Sequence, residues 1–268
     1  MTILRSIRSE LLKLTTVRST WILGLILFAY VGVSAAGFAG VLAIAEDDGG
    51  LPTGAGLHLA IYAIATSVVG YAFPLLIGAF TITGELRFQT LTPTFLATPA
   101  RGAVLAGKVV ASFLVGLVLG VVGLLASAGL GGLVLALTGQ ETGFDDPETW
   151  WMIGRAVLAM ALWTIVGVGL GTLIPNQVAV IVIVIAFTQF IEPVLRVATA
   201  FVDWTAELGR FLPGAASDAL VGSSFFGIIG AAGGVDPLEP WQGGLVMVGI
   251  AGVLLLLGGL TTWRRDVT

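Results

Sequence analysis

Cysteine is absent from this chain, histidine occurs once, and charged residues supply only 10% of its 268 positions. Without cysteine there is neither a disulfide framework nor a thiolate metal site, and the redox compartment is not encoded. A single His58 cannot build a two-histidine metal centre. The shortage of charge excludes more. With 57% hydrophobic residues and a mean hydropathy of +1.03, the surface of a soluble 27.6 kDa globule could not cover the apolar content. A lipid bilayer is the solvent that suits this composition. The net charge of -4 orients the chain rather than pointing to nucleic acid, because its two signs are segregated along the sequence.

The segregation follows the gaps between hydrophobic blocks. Arg5, Arg8, Lys13 and Arg18 precede the first block, Arg87, Arg101 and Lys108 fill the second gap, and Arg264 and Arg265 follow the last. The intervening gaps hold Glu46, Asp47 and Asp48, and then Glu141, Asp145, Asp146 and Glu148. Lys and Arg beside membrane helices stay cytoplasmic. The pattern therefore predicts an even number of spans with both termini in the cytosol, in a bacterial inner (cytoplasmic) membrane.

About 20 apolar residues cross the hydrocarbon core, and five blocks have that length: Trp21–Ala45, Leu57–Ile82, Val104–Thr138, Trp150–Leu173 and Trp241–Trp263. The first is too long for a signal-peptide core and is expected to remain as an anchor. A further block from Val178 stays free of charge only to Ile191, then meets Glu192, Pro193 and Arg196. The third block would make about 50 Å of helix, so it must tilt, kink or protrude. The expected fold class is an all-α membrane protein, with six transmembrane helices, an N-terminal interfacial helix, and re-entrant helices between the fifth and sixth spans. All of it forms one transmembrane domain, residues 1–268.

Three segments outside the spans carry most of the functional information. In residues 1–18, Ile3, Leu4, Ile7, Leu11 and Leu14 recur at helical spacing among four cations, as in a helix lying in the membrane interface. Residues 83–102 carry Leu86, Phe88, Leu91, Phe95 and Leu96 in a cytoplasmic gap that should otherwise be polar, which marks a docking surface. Residues 192–240 are too long for a structureless connection. Ala219–Ala232 within them is too short to span, because a full crossing would put Arg264 and Arg265 outside; short helices that enter the outer leaflet and return are expected.

Motifs for catalysis are weak. Gly102–Lys108 reads GAVLAGK, but Val109 replaces the Ser or Thr that would hold magnesium, and no strand precedes it. The glycines of Gly120–Gly132 and Gly167–Gly171 fit close helix packing better than a ligand loop. Asp145, Asp146 and Glu148 fit a solvated loop better than an ion site.

These residues carry a resemblance. Ser9-Glu10-x-x-Lys13-Leu14, Arg18-Ser19-Thr20-Trp21, Gly84-Glu85-x-Arg87 with Thr90-Leu91, and Leu96-x-Thr98-Pro99-x-Arg101 resemble permease subunits of type-2 ABC transporters, over essentially the whole chain. The resemblance implies a half-transporter that forms a homodimer or pairs with a related permease, and that docks two copies of a separate ABC ATPase. ATP and Mg would then sit on that partner, with no cofactor and no catalytic or metal-binding residue in this chain. Thr83–Arg101 would be the coupling helix, with Glu85, Leu86, Arg87, Phe88, Leu91, Phe95 and Arg101 as coupling residues and the Pro175-Asn176-Gln177 turn as a second contact.

For cargo, the few charges in the spans suit a hydrophobic or amphiphilic substrate: a drug, a peptide or a lipid-like molecule. Glu192 and Arg196, at i,i+4, either pair structurally or line an exit with Phe201 and Trp204. Two rivals remain at this stage. One is an integral-membrane enzyme acting on a lipid substrate, with Asp145, Asp146 and Glu148 as metal ligands; the other is a membrane sensor or scaffold.

Overall fold

The computed structural model describes residues 3–47, 56–67, 69–98, 100–199, 207–224, 237–261 and 263. Phe201, Trp204, Arg264 and Arg265 lie outside the described residues, as does most of the second half of Ala219–Ala232. Every regular element among the described residues is helical. In chain order they are α1 (Ile3–Thr16), α2 (Arg18–Asp47), α3 (Leu57–Tyr62), α4 (Ile64–Ser67), α5 (Ala72–Arg87), α6 (Leu91–Ala97) and α7 (Arg101–Leu137), the last with a π-helical stretch at Ser127–Gly131. Then come α8 (Pro147–Leu173) and α9, built from Gln177–Ala186, a π-helical stretch Phe187–Ile191, and Glu192–Thr199. Pro213–Val221 forms α10 and Pro240–Thr261 forms α11.

Among the described residues, five helices are long and apolar enough to cross a membrane: α2, α7, α8, α9 and α11. They are not the five strongest blocks of the sequence. Leu57–Ile82, expected as one span, is broken into α3, α4 and α5, whereas the block interrupted by Glu192 and Pro193 continues as a helix.

α8 is the axis of the bundle. Some 72% of its most apolar window is buried, against 22% for α9 and α11 and 28% for α2, whose outer faces carry Leu, Ile, Val and Phe. Helices pack in lipid by close approach of small residues, and α8 uses them on two sides. A Cβ at Gly78 of α5 would strike the Thr164 carbonyl, and one at Gly167 of α8 the Leu75 carbonyl. Gly120 of α7 lies against the Val157 backbone, with less overlap. On α2, Leu27, Val31, Ala35 and Ala39 form a four-residue repeat that is fully buried.

α3, α4 and α5 together run from one end of the bundle to the other. At one end the Tyr62 hydroxyl donates to the Thr142 carbonyl and its ring stacks on Phe144 at 5.5 Å. At the other, Arg87 donates to Gln177 at 3.3 Å. Backbone groups freed inside a membrane must find partners within the protein, and each break in this segment meets a π-helical stretch. Thr66 N bonds to Ala63 O, leaving Tyr62 O for the Ser127 hydroxyl at 2.9 Å. Pro193 has no N–H to give back to Thr188 in the i→i−5 register of the π turn, and the Tyr71 hydroxyl donates to the Thr188 carbonyl at 3.2 Å instead. That substitution lets α9 pass through a proline.

α1 and Trp263 share one side. α1 reaches Glu85 through Lys13, and beyond α11 the Trp263 indole donates to the Arg101 carbonyl at 3.1 Å while Arg101 returns a bond to Trp263 O. This is the basic end of the bundle; the Glu141–Glu148 loop is at the opposite, acidic end.

Candidate functional site

At the basic end, α1 turns a polar face inward. Ser6, Glu10 and Leu14, four residues apart, are buried, while Ile3, Leu4 and Leu12 of the same helix are exposed. Ser6 seats against Gly107 of α7, where a side chain would collide with it. One turn on, Glu10 meets Lys108, whose side chain is fully buried. Lys108 Nζ lies 2.8 Å from Glu10 Oε2, 2.8 Å from Glu85 Oε1 and 3.1 Å from the Thr81 carbonyl. Lys13 Nζ closes the ring at 2.7 Å from Glu10 Oε1 and 2.7 Å from Glu85 Oε1. Two carboxylates and two ammonium groups balance, so charges that would be costly singly are kept as a set. Burial pulls the Lys13 ammonium down, but its bonds to Glu10 and Glu85 outweigh that and hold it above the ordinary lysine range. Three helices, α1, α5 and α7, are thereby tied at one knot.

The predicted coupling segment divides around that knot. Glu85 is turned inward, its side chain 11% exposed and its Oε2 buried without a partner. Leu91 is buried beside Ile82, Val104, Val168 and Trp263, with Leu86 and Phe95 packed against the same small core. Phe95 meets the Trp263 ring edge-on at 5.2 Å, and Arg101 lies over the Phe95 ring at 5.0 Å. Arg87 points outward to Gln177 and over Phe88. Gln89, at φ 55°, makes the left-handed turn between α5 and α6. The exposed surface of the segment is mixed, with Gln89, Thr90, Thr92 and Pro93 on it, and its large exposed hydrophobic side chains are Phe88, 71% exposed, and Leu96, 79% exposed. Pro175-Asn176-Gln177 is a helix start, with Asn176 Oδ1 accepting from Val178 N and Ala179 N, and Gln177 accepts from Arg87.

A second cluster lies at the far end of α9. Glu192 Oε1 accepts from Gly214 N at 2.6 Å and Ala215 N at 3.2 Å, in the first turn of α10, and from Arg196 at 3.1 Å. Arg196 Nη1 donates to Asp218 Oδ2 at 2.6 Å. Asp218 also accepts from the Ser67 hydroxyl at 3.1 Å and the Ser224 hydroxyl at 2.6 Å. Trp163, stacked on Tyr71 at 4.5 Å, donates to the Ser217 hydroxyl at 3.0 Å. Glu192 and Arg196 do pair, as one of the two sequence readings has it, yet Asp218, Ser67 and the α10 amides complete the group. The bonds that assemble the group span 22 residues from Glu192 to Gly214 and from Arg196 to Asp218, and 151 from Ser67 to Asp218, and no local pattern joins these partners to Glu192.

The acidic loop behaves as a helix start. Asp146 caps α8 by accepting from Glu148 N at 2.9 Å, Pro147 occupies the first turn, and Glu148 pairs with Arg155 at 2.6 Å. Among the described residues no three metal-binding side chains gather, so Asp145, Asp146 and Glu148 are not brought together as ligands. The His58 Nε2 is buried without a hydrogen-bond partner.

No protein-family model matches this chain, and no curated protein does either.

Proposed function

We propose that this chain is the membrane-spanning subunit of an ATP-driven exporter, worked by a separate ATPase that binds its basic end. On this reading α3–α5 count as a broken sixth span, so both termini face the cytosol of a bacterial cell and the acidic end faces out. The short helices after α9, including α10, enter the outer leaflet and return. Two such subunits, alike or related, would enclose a path for a hydrophobic or amphiphilic molecule, with two ATPase copies below.

One observation carries this reading. The loop that joins two spans at the basic end is rigidly fastened yet displays two large bare apolar side chains, Phe88 and Leu96. Its fastenings are the four-charge knot on one side and the Phe95–Trp263–Arg101 contact on the other. A motor can shift spans only through a part that does not yield, and here a push on α6 is delivered to α1, α5, α7 and α11 together. An enzyme acting on lipid would have no use for that arrangement, and its proposed ligands serve as cap and ion pair.

The test is retention of an ATPase encoded beside this chain. Phe88→Ala with Leu96→Ala should leave the permease folded, because both side chains are exposed, and should reduce co-purification of the ATPase at least tenfold. Undiminished retention and undiminished ATP-driven efflux would refute the docking role.

A further inference from the structure

Charge does not balance at the second cluster as it does at the first. Glu192 and Asp218 bring two carboxyl groups, and Arg196 one guanidinium. The α10 amides bonded to Glu192 supply about half a charge at most. Among the described residues, Tyr71 is the other ionisable group facing the three, and its hydroxyl is engaged with Thr188. Arg155, whose guanidinium lies beside Gly222, is committed to Glu148. The neighbours from α4, α8 and α10 are neutral: Ser67, Trp163 and Ser217.

Geometry singles out where the missing positive charge belongs. Both oxygens of Asp218 accept bonds, from Ser67 on one side and from Arg196 and Ser224 on the other. Glu192 is lopsided. Its Oε1 receives Gly214, Ala215 and Arg196, while its Oε2 is buried with no partner in a side chain only 1% exposed. A bare carboxylate oxygen in a dry site is far more costly than a neutral one. A metal ion would demand several oxygens around it, and Oε2 stands alone. A proton needs one oxygen.

We propose that this cluster is a proton-binding site, with the proton carried on Glu192 Oε2 and with Arg196 and Asp218 as the remaining ion pair. In that state Glu192 Oε1 keeps its bonds as the carbonyl of a carboxylic acid. The proton holds the end of α9 to the start of α10, the joint nearest the outer medium on the orientation given above, and it would do so whether or not an ATPase drives the chain.

The test is infrared spectroscopy of the purified full chain in lipid nanodiscs at neutral pH, reading the C=O stretch of a protonated carboxylic acid. The expected result is a band in the wild-type chain that is lost in Glu192→Gln. Asp218→Asn should lose it as well, because one carboxyl then faces one guanidinium and Glu192 ionises. A wild-type spectrum without the band overturns the proposal even if neither variant folds. A band undiminished in Glu192→Gln, or retained at full strength in folded Asp218→Asn, overturns it too.

Discussion

Lys108 shows how one residue can hold an end of the bundle. Its ammonium, fully buried, joins carboxylates from α1 and α5. Replacing it leaves two buried acids with only the half-exposed Lys13 between them, and breaking a buried pair in this way costs about 3–5 kcal/mol. Lys108→Ala should therefore lower the thermal midpoint of the detergent-solubilised chain by several degrees. A midpoint within one degree of wild type would mean the ring contributes nothing. Sequence reading placed Lys108 among the cytoplasmic cations and Glu10 within a motif, but could not join them, because ion pairs between helices have no period. The same holds for Asp218, whose partners Arg196 and Ser67 lie 22 and 151 residues away.

Among the elements, the broken and unbroken helices teach the clearest lesson. Hydropathy alone reads Leu57–Ile82 as a rod, and requires the next-to-last span to continue through or beside Glu192 and Pro193. The structure breaks the first and carries the second through, because hydrogen-bond partners come from elsewhere: Ser127 answers the open Tyr62 carbonyl, and Tyr71 answers the carbonyl left by Pro193. Such bonds between membrane helices are worth about 0.6 kcal/mol on average and up to about 1.7. Tyr71→Phe and Ser127→Ala should each cost that much, and as the two sites share no partner their effects should add. Equilibrium unfolding in mixed micelles checks this; a cost beyond 3 kcal/mol for either would show that the break itself depends on the hydroxyl. Caps carry a signal with a local mechanism, and the helices begin at Asp146-Pro147 and at Asn176, although Asp146 reads first as part of a solvated loop and Asn176 as part of a turn.

On the scale of the whole molecule, the segregation of charge anticipated the arrangement best. Arg5, Arg8, Lys13, Arg18, Arg87, Arg101 and Lys108 gather on elements at one end, and the Glu141–Glu148 loop at the other, although the chain passes between them repeatedly. The N-terminal helix was legible as an amphipathic segment, but the division of its faces was not: Ser6, Glu10 and Leu14 face the protein with Leu11 packed beside them, while Leu4 and Leu12 face away together with Arg5 and Arg8. The inward polar positions are set by Lys108, which gives the Glu10 carboxylate its partner.

The central claim, that the Phe88–Leu96 surface faces the cytosol and the α10 end faces out, is open to a single measurement. Cysteines introduced one at a time as Ser223→Cys and Leu96→Cys, in a chain with no native cysteine, are challenged with a membrane-impermeant maleimide on intact cells. The account predicts that Ser223→Cys labels at once and that Leu96→Cys labels only after the membrane is opened. Labelling of Leu96→Cys in intact cells, or of Ser223→Cys only after opening, would contradict it.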